Sequence, residues 1–156
     1  MGLISFNGIL MKNTIYIICA IGITLLACST MKNTAGSSQD LQQLTGTWQL
    51  SYISGPRIAF EGLYPDKKPT LMFDVKAKRI SGQTSCNSFS GALVADDGKI
   101  DFTGPIMMTK MYCPGAGEPT FLETLKKVTS YSVADDSVLN LIMGDITLMR
   151  FTKLSN

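Results

Sequence analysis

The chain of 156 residues holds four cysteines, nine methionines and two Asp-Asp pairs, and no histidine. Those are the residue types that could do chemistry. Without histidine there is no Ser-His-Asp or Cys-His nucleophile and no His-ligated zinc or haem. Asp96-Asp97 and Asp135-Asp136 could meet calcium, but neither pair is followed by acidic ligands at EF-hand spacing. Both read as solvated turns. A glycosidase acid/base pair needs two carboxylates facing across a cleft, which spacing alone does not supply. Met107, Met108, Met111, Met143 and Met149 could offer soft sulfur ligands to copper. They fall on apolar strand positions and read instead as core filling. Lys67, Lys68, Lys76, Lys78 and Arg79 form a basic cluster that either faces water or touches anionic lipid heads. No catalytic set, metal site or cofactor site is expected, so the chain does not read as an enzyme. The hydrophobic share of 45%, the charged share of 17% and the net charge of +2 argue against a disordered chain and against a nucleic-acid binder.

The start of the chain reads as an address. Lys12-Asn13 supplies a positive flank, and an apolar run follows from Ile15 to Ala27. That run is short of the ~20 residues a membrane-spanning helix needs. With the small-residue junction Leu25-Leu26-Ala27-Cys28 it reads as a signal peptide over 1–27. The junction resembles the bacterial lipobox, which implies cleavage before Cys28 and acylation of its thiol. An uncleaved signal anchor and a buried helix are the other readings of the same run. Met11-Lys12-Asn13 is itself an ordinary signal-peptide start, so Met11 is the expected initiator. The polar stretch over 28–40 reads as a lipidated flexible tether, and 41–156 as the folded domain. These readings place the protein in the bacterial cell envelope, lipid-anchored, on the outer membrane facing the periplasm. Its expected partners are the membrane, through that lipid, and an envelope protein.

From Leu41 onward the pattern is that of strands. Trp48, Leu50 and Tyr52 alternate with polar residues and are expected on one face. Leu71, Phe73 and Val75 repeat the pattern. Further strands are expected at Arg79–Gly82, Phe89–Val94, Lys99–Phe102, Ile106–Met111, Tyr131–Ala134, Val138–Met143 and Ile146–Phe151. Only Glu118–Val128 has helical spacing, with Phe121, Leu122, Leu125 and Val128 on one face and Pro119 in the first turn. The expected fold is α+β: a barrel-like antiparallel sheet of about eight strands with one helix packed on it.

Several motifs in order carry a resemblance. They are Leu44-x-Gly46-x-Trp48-x-Leu50, Pro69-Thr70-Leu71-x-Phe73, Ile80-Ser81-Gly82, Cys86-Asn87-x-Phe89-x-Gly91, Ile100-x-Phe102, Thr109-x-Met111-x-Cys113, Glu118-x-x-Phe121-x-x-x-Leu125 and Leu139-x-Leu141. Together they resemble the META domain, the HslJ heat-shock family. The most distinctive pair is the Cys-Asn-x-Phe-x-Gly block and the Thr-x-Met-x-Cys block. That makes Asn87, Phe89 and Gly91 a candidate binding or structural motif. The family often has glycine where Ser85 stands and an aromatic where Leu93 stands. The resemblance implies a barrel-like sheet with one helix, a role in envelope stress or antibiotic tolerance, and no catalytic residues.

It also bears on the cysteines. Cys19 lies in the signal run and Cys28 is the lipid site, which leaves Cys86 and Cys113 in an exported domain. The two segments are neighbours in the family, and a Cys86–Cys113 disulfide is expected. A reactive pair and two free buried thiols remain the other readings. Asn87 either satisfies local backbone in a turn or contacts a ligand.

Three functional readings follow. The first is a non-catalytic envelope lipoprotein acting through surface contacts. The second is a carrier of a small apolar ligand, since Gly46-Thr47-Trp48 resembles the lipocalin Gly-x-Trp signature; the helix, however, precedes the last three strands. The third is an inhibitor or assembly factor using the loop from Gly55 to Pro69, with exposed Phe60 and Tyr64 as its mark.

Overall fold

A computed structural model describes residues 38–155. The expected signal peptide, Cys19, Cys28 and the expected tether up to position 37 lie outside the described residues. Element order is α1 (Ser38–Gln43), β1 (Gly46–Ile53), α2 (Phe60–Leu63), β2 (Thr70–Asp74), β3 (Arg79–Gln83), β4 (Ser88–Ala92), β5 (Val94–Asp96), β6 (Lys99–Asp101), β7 (Ile106–Met108), α3 (Gly117–Leu125), β8 (Ser130–Ala134), β9 (Val138–Met143) and β10 (Ile146–Lys153).

All ten strands join one antiparallel sheet in the order β5-β6-β8-β9-β10-β1-β2-β3-β4-β7. The sheet curls into a barrel-like half-cylinder, which is the fold class the alternation predicts. The two ends of this order belong to a single hairpin. Its first arm is β4 continued by β5, and its second is β6 continued by β7. The tip half pairs Val94 with Asp101, and the base half pairs Gly91 with Ile106. Extra residues, Phe102–Pro105, fall between these pairs on the second arm, so the hairpin splits there. Its base joins β3 through β4, and its tip joins β8 through β6.

Ten strands form, against about eight expected, and two of them, β4 and β5, come from one expected run. The Phe89–Val94 run breaks at Leu93, whose N–H turns aside to the carbonyl of Lys78 at 2.9 Å. A second difference lies in β1. Trp48 and Leu50 are fully buried, but Tyr52 is 44% exposed and Ile53 takes the inward position. A bulge causes it: Leu50 pairs with Phe151 and Tyr52 with Arg150, leaving Ser51 unpaired. One extra residue moves every later side chain to the opposite face. The displaced Tyr52 ring lies against the Arg150 guanidinium, 5.7 Å from its centroid.

The core holds Trp48, Leu50, Leu71, Phe73, Phe121, Leu139, Leu141, Met149 and Phe151 at its centre, all essentially without exposure. Trp48 donates its indole N–H to Leu44 O at 2.7 Å, so its one polar group is satisfied inside. α3 turns Phe121 and Leu125 inward and packs against β10. Burial of the methionines differs from expectation. Met149 is in the core and Met108 is half-buried, whereas Met107, Met111 and Met143 are exposed. Met107 pairs with Ser90 on the outer face of β4–β7, so apolar character there does not mean burial.

The register defines two ends. At one lie the start of β1, the β2–β3 turn, the β8–β9 turn and α1, which packs on β5. At the other lie the β3–β4 turn, the β9–β10 turn and the segment after β7, joined to Ser88 O by Thr109 N–H at 3.0 Å. Lys67 and Lys68 precede β2 while Lys76, Lys78 and Arg79 follow it. The strand carries the two groups to opposite ends, so the expected single basic cluster is two. Asp97, Asp135 and Asp136 sit in turns at positive φ, a conformation aspartate tolerates, while Asp96 ends β5.

Candidate functional site

The β3–β4 turn and the loop from β7 to α3 come together at the second end. Cys86 and Cys113 are joined there by a disulfide, with their Cα atoms 6.1 Å apart. The turn is tight enough to place Ser85 at φ +93°, where a Cβ is disfavoured. That accounts for the glycine the family favours at this place.

Asn87 is the centre of the site. It is buried, and its side chain spends its hydrogen bonds within the protein. The Oδ1 atom accepts the Thr109 hydroxyl at 2.8 Å and the Met111 N–H at 2.8 Å. Its Nδ2 group donates to Met111 O at 3.1 Å and to the Glu118 carboxylate at 3.0 Å, and lies 3.0 Å from Cys113 Sγ. Thr84 completes the knot. Its hydroxyl accepts the Asn87 N–H at 3.0 Å and donates to Glu118, while its own N–H bonds Asn87 O at 2.8 Å. One asparagine therefore ties three segments together: the β3–β4 turn, the loop after β7 and the first turn of α3. Between the expected roles, the geometry is that of a satisfied structural asparagine.

Phe89 points into the core, with its ring centroid 6.1 Å from that of Phe121. Gly91 lies where β7 crosses: a Cβ would meet Ile106 Cγ2 at 3.2 Å and Pro105 O at 3.3 Å. So Asn87, Phe89 and Gly91 do three different jobs: a polar tie, a core contact and a close strand approach.

Thr84 has no part in the sequence reading, Glu118 enters it only as the first residue of the motif that opens the expected helix, and Tyr64 enters it as an exposed aromatic. Thr84 and Glu118 are far apart in the chain, and nothing in their spacing signals a contact. Tyr64 is buried, and its hydroxyl donates to Gly117 O at 3.1 Å. Burial pushes its phenol up to about 12. Phe60 is half-buried and packs edge-on against Tyr64, at 5.3 Å between centroids. The Gly55–Pro69 loop thus uses Tyr64 to seat α3, and the exposed aromatic pair that would mark a partner-binding loop does not form.

A cleft and a pocket are among the concavities that border these elements. A cleft of about 360 Å³ is lined by Tyr64, Lys67, the disulfide, Met111 and Glu118. Beside it Tyr112 stands 91% exposed and Met111 60%. The second opens where the hairpin splits. It holds about 110 Å³ and is lined by Ile80, Phe89, Val94, Phe102, Ile106 and Leu122. Asp101 also lines it, with its carboxyl held below the usual range by the N–H and hydroxyl of Thr103. Among the described residues, no three acidic or cysteine side chains gather as a metal site, and no helix is long and apolar enough to cross a membrane.

Comparison with known proteins agrees with this architecture. A solution structure of a protein from Burkholderia xenovorans is similar over 76% of this chain and 88% of its own, at 22% identity and a TM-score of 0.58. A second solution structure is similar over 72% of this chain and 92% of its own, at 22% identity and a TM-score of 0.52. A DUF4847 family protein from Bacteroides vulgatus covers 72% of this chain at 18% identity and a TM-score of 0.48. At 22% identity the likeness to the two solution structures is one of fold. No curated protein sequence gives a significant match. The META domain family model matches residues 39–156, which include the disulfide, the Asn87 knot and the whole described sheet. The chain therefore belongs to the META domain family.

Proposed function

We propose that this META domain is a non-catalytic contact module, carried on a lipid at Cys28 on the outer membrane facing the periplasm, and that it supports tolerance of envelope stress or antibiotics. The observation that carries the reading is the state of Asn87. A buried polar group aimed at substrate would keep hydrogen-bonding capacity in reserve. Here the amide is spent on Thr109, Met111 and Glu118. The exposed residues beside it, Tyr112 and Met111, are of the kinds enriched where proteins meet. The carrier reading draws on the pocket at the hairpin split, but its roughly 110 Å³ falls well below the usual size of small-molecule sites.

The test is complementation. A strain lacking the protein is challenged with heat and with a hydrophobic antibiotic, then supplied with the wild-type chain, Cys28→Ala or Tyr112→Ala. Palmitate labelling is followed in parallel. The expected result is palmitate on the wild-type chain and loss of tolerance with either variant. An unlabelled wild-type chain, or equal survival with and without the protein, would overturn the reading.

A further inference from the structure

The outer face of β3, β4 and β7 carries a groove of about 520 Å³ lined by Lys78, Arg79, Ser90, Gly91, Ala92, Pro105 and Met107. Its charged lining is wholly basic. Met107 is 71% exposed on its apolar side. Lys76 projects from the same turn, exposed. Asp74, which pairs across from Arg79, turns its Oδ1 to the N–H of Ala77 at 2.9 Å. The other carboxylates at this end, Asp96, Asp97, Asp135 and Asp136, line none of the groove. A cationic rim beside an exposed apolar side chain is complementary to a phospholipid head with its phosphate and the start of its chains.

The path of the chain favours a membrane as the source of that head. α1 opens the described domain and packs on β5. The residue joining β4 to β5, Leu93, bonds the carbonyl of Lys78 itself. The chain therefore reaches the domain at the end that carries the basic turn, while Tyr112 and the disulfide lie at the other. Between Cys28 and Ser38 an extended chain reaches at most roughly 35 Å. A lipid on Cys28 would hold the basic end near the bilayer, where two such side chains favour an anionic surface by roughly thirtyfold.

We infer that the groove of Lys78, Arg79 and Met107 is a docking surface for anionic phospholipid headgroups, which turns the basic end to the membrane and the disulfide end away from it. This rests on the lipid anchor of the proposed function. The test uses the full processed chain purified from bacterial membranes, mixed with phosphatidylcholine vesicles with and without phosphatidylglycerol. Flotation and amide hydrogen exchange over residues 75–79 are measured. The expected result is flotation on both vesicles, with exchange slowed several-fold on the phosphatidylglycerol vesicles alone. High salt, or the Lys78→Gln, Arg79→Gln variant, should abolish the slowing. Flotation on both with equal exchange overturns the groove and leaves the anchor standing. Flotation only with phosphatidylglycerol supports the groove and overturns the anchor. Flotation on neither overturns both.

Discussion

The two ends of this barrel are held by different physics. Around Trp48, Phe73 and Phe151 the chain is held by close-packed apolar side chains, with one indole hydrogen bond inside. Around Asn87 it is held by a disulfide and a knot of directed hydrogen bonds. The first tolerates changes of shape that keep volume. The second tolerates almost no change of donor or acceptor, because each lost partner leaves another polar group unpaired in a confined place. The split follows geometry: strands can fill an interior with alternating apolar residues, but turns and loops at a barrel end must satisfy their backbone some other way.

The largest effect is expected at the apolar end. Trp48→Ala removes the biggest fully buried side chain and should cost about 3–5 kcal/mol in urea unfolding. A loss under about 2 kcal/mol would mean the cavity collapses and this end is not tightly packed.

Removing the disulfide with Cys86→Ser and Cys113→Ser opens a link of sequence separation 27, worth about 3.5 kcal/mol by loop-closure entropy. Unfolding midpoints with and without reductant measure it. If the polar knot holds the loop unaided, the loss will be much smaller.

Asn87→Asp tests the knot at constant shape. It sets a second carboxylate about 3 Å from that of Glu118, at a cost of roughly 2–3 kcal/mol near neutral pH. A shared proton relieves the repulsion, so the folded pair binds its proton more tightly than the unfolded chain does. The penalty is therefore small below about pH 4 and grows as pH rises. A penalty independent of pH would show that the carboxylates do not interact.

Tyr64 connects the knot to its loop. Its unfolded phenol ionises near about pH 10, whereas the folded one is held up to about 12. The wild type should therefore lose stability as pH rises through that interval. Tyr64→Phe should remove this alkaline loss, at a cost of about 1 kcal/mol at neutral pH for the bond to Gly117. Alkaline melting curves of equal slope for both proteins would contradict the burial of the hydroxyl.

The smallest change has the opposite sign. Ser85→Gly relieves a positive φ and should stabilise by about 0.5 kcal/mol, after the extra freedom glycine brings to the unfolded chain. Calorimetry reads it, and a lower melting temperature would show that the serine hydroxyl makes up for the strain.

Much of this architecture could be read from residue order. Leu71, Phe73 and Val75 point inward and Met72 and Asp74 outward, as simple alternation requires. Phe121 and Leu125 face the core as helical spacing requires. The motif order carried the family, since it spans nearly the whole domain. The failures share a cause. Tyr52 turned outward because a bulge at Ser51 forms only when β10 supplies its register. Met107 stayed exposed because β7 lies at a sheet end with its outer face open. The two lysine groups separated because a strand runs between them.

The sequence by itself determined the alternating faces, the amphipathic helix α3 and the absence of histidine chemistry, because these depend on residue type and on periods of two and 3.6 residues. Only the tertiary structure decided that Thr84, Asn87, Thr109 and Glu118 form one knot, that a hairpin links both ends of the sheet, and that Lys78 and Arg79 line a groove. Such contacts join residues distant in sequence, and local pattern has no way to specify which distant partner completes a buried hydrogen bond.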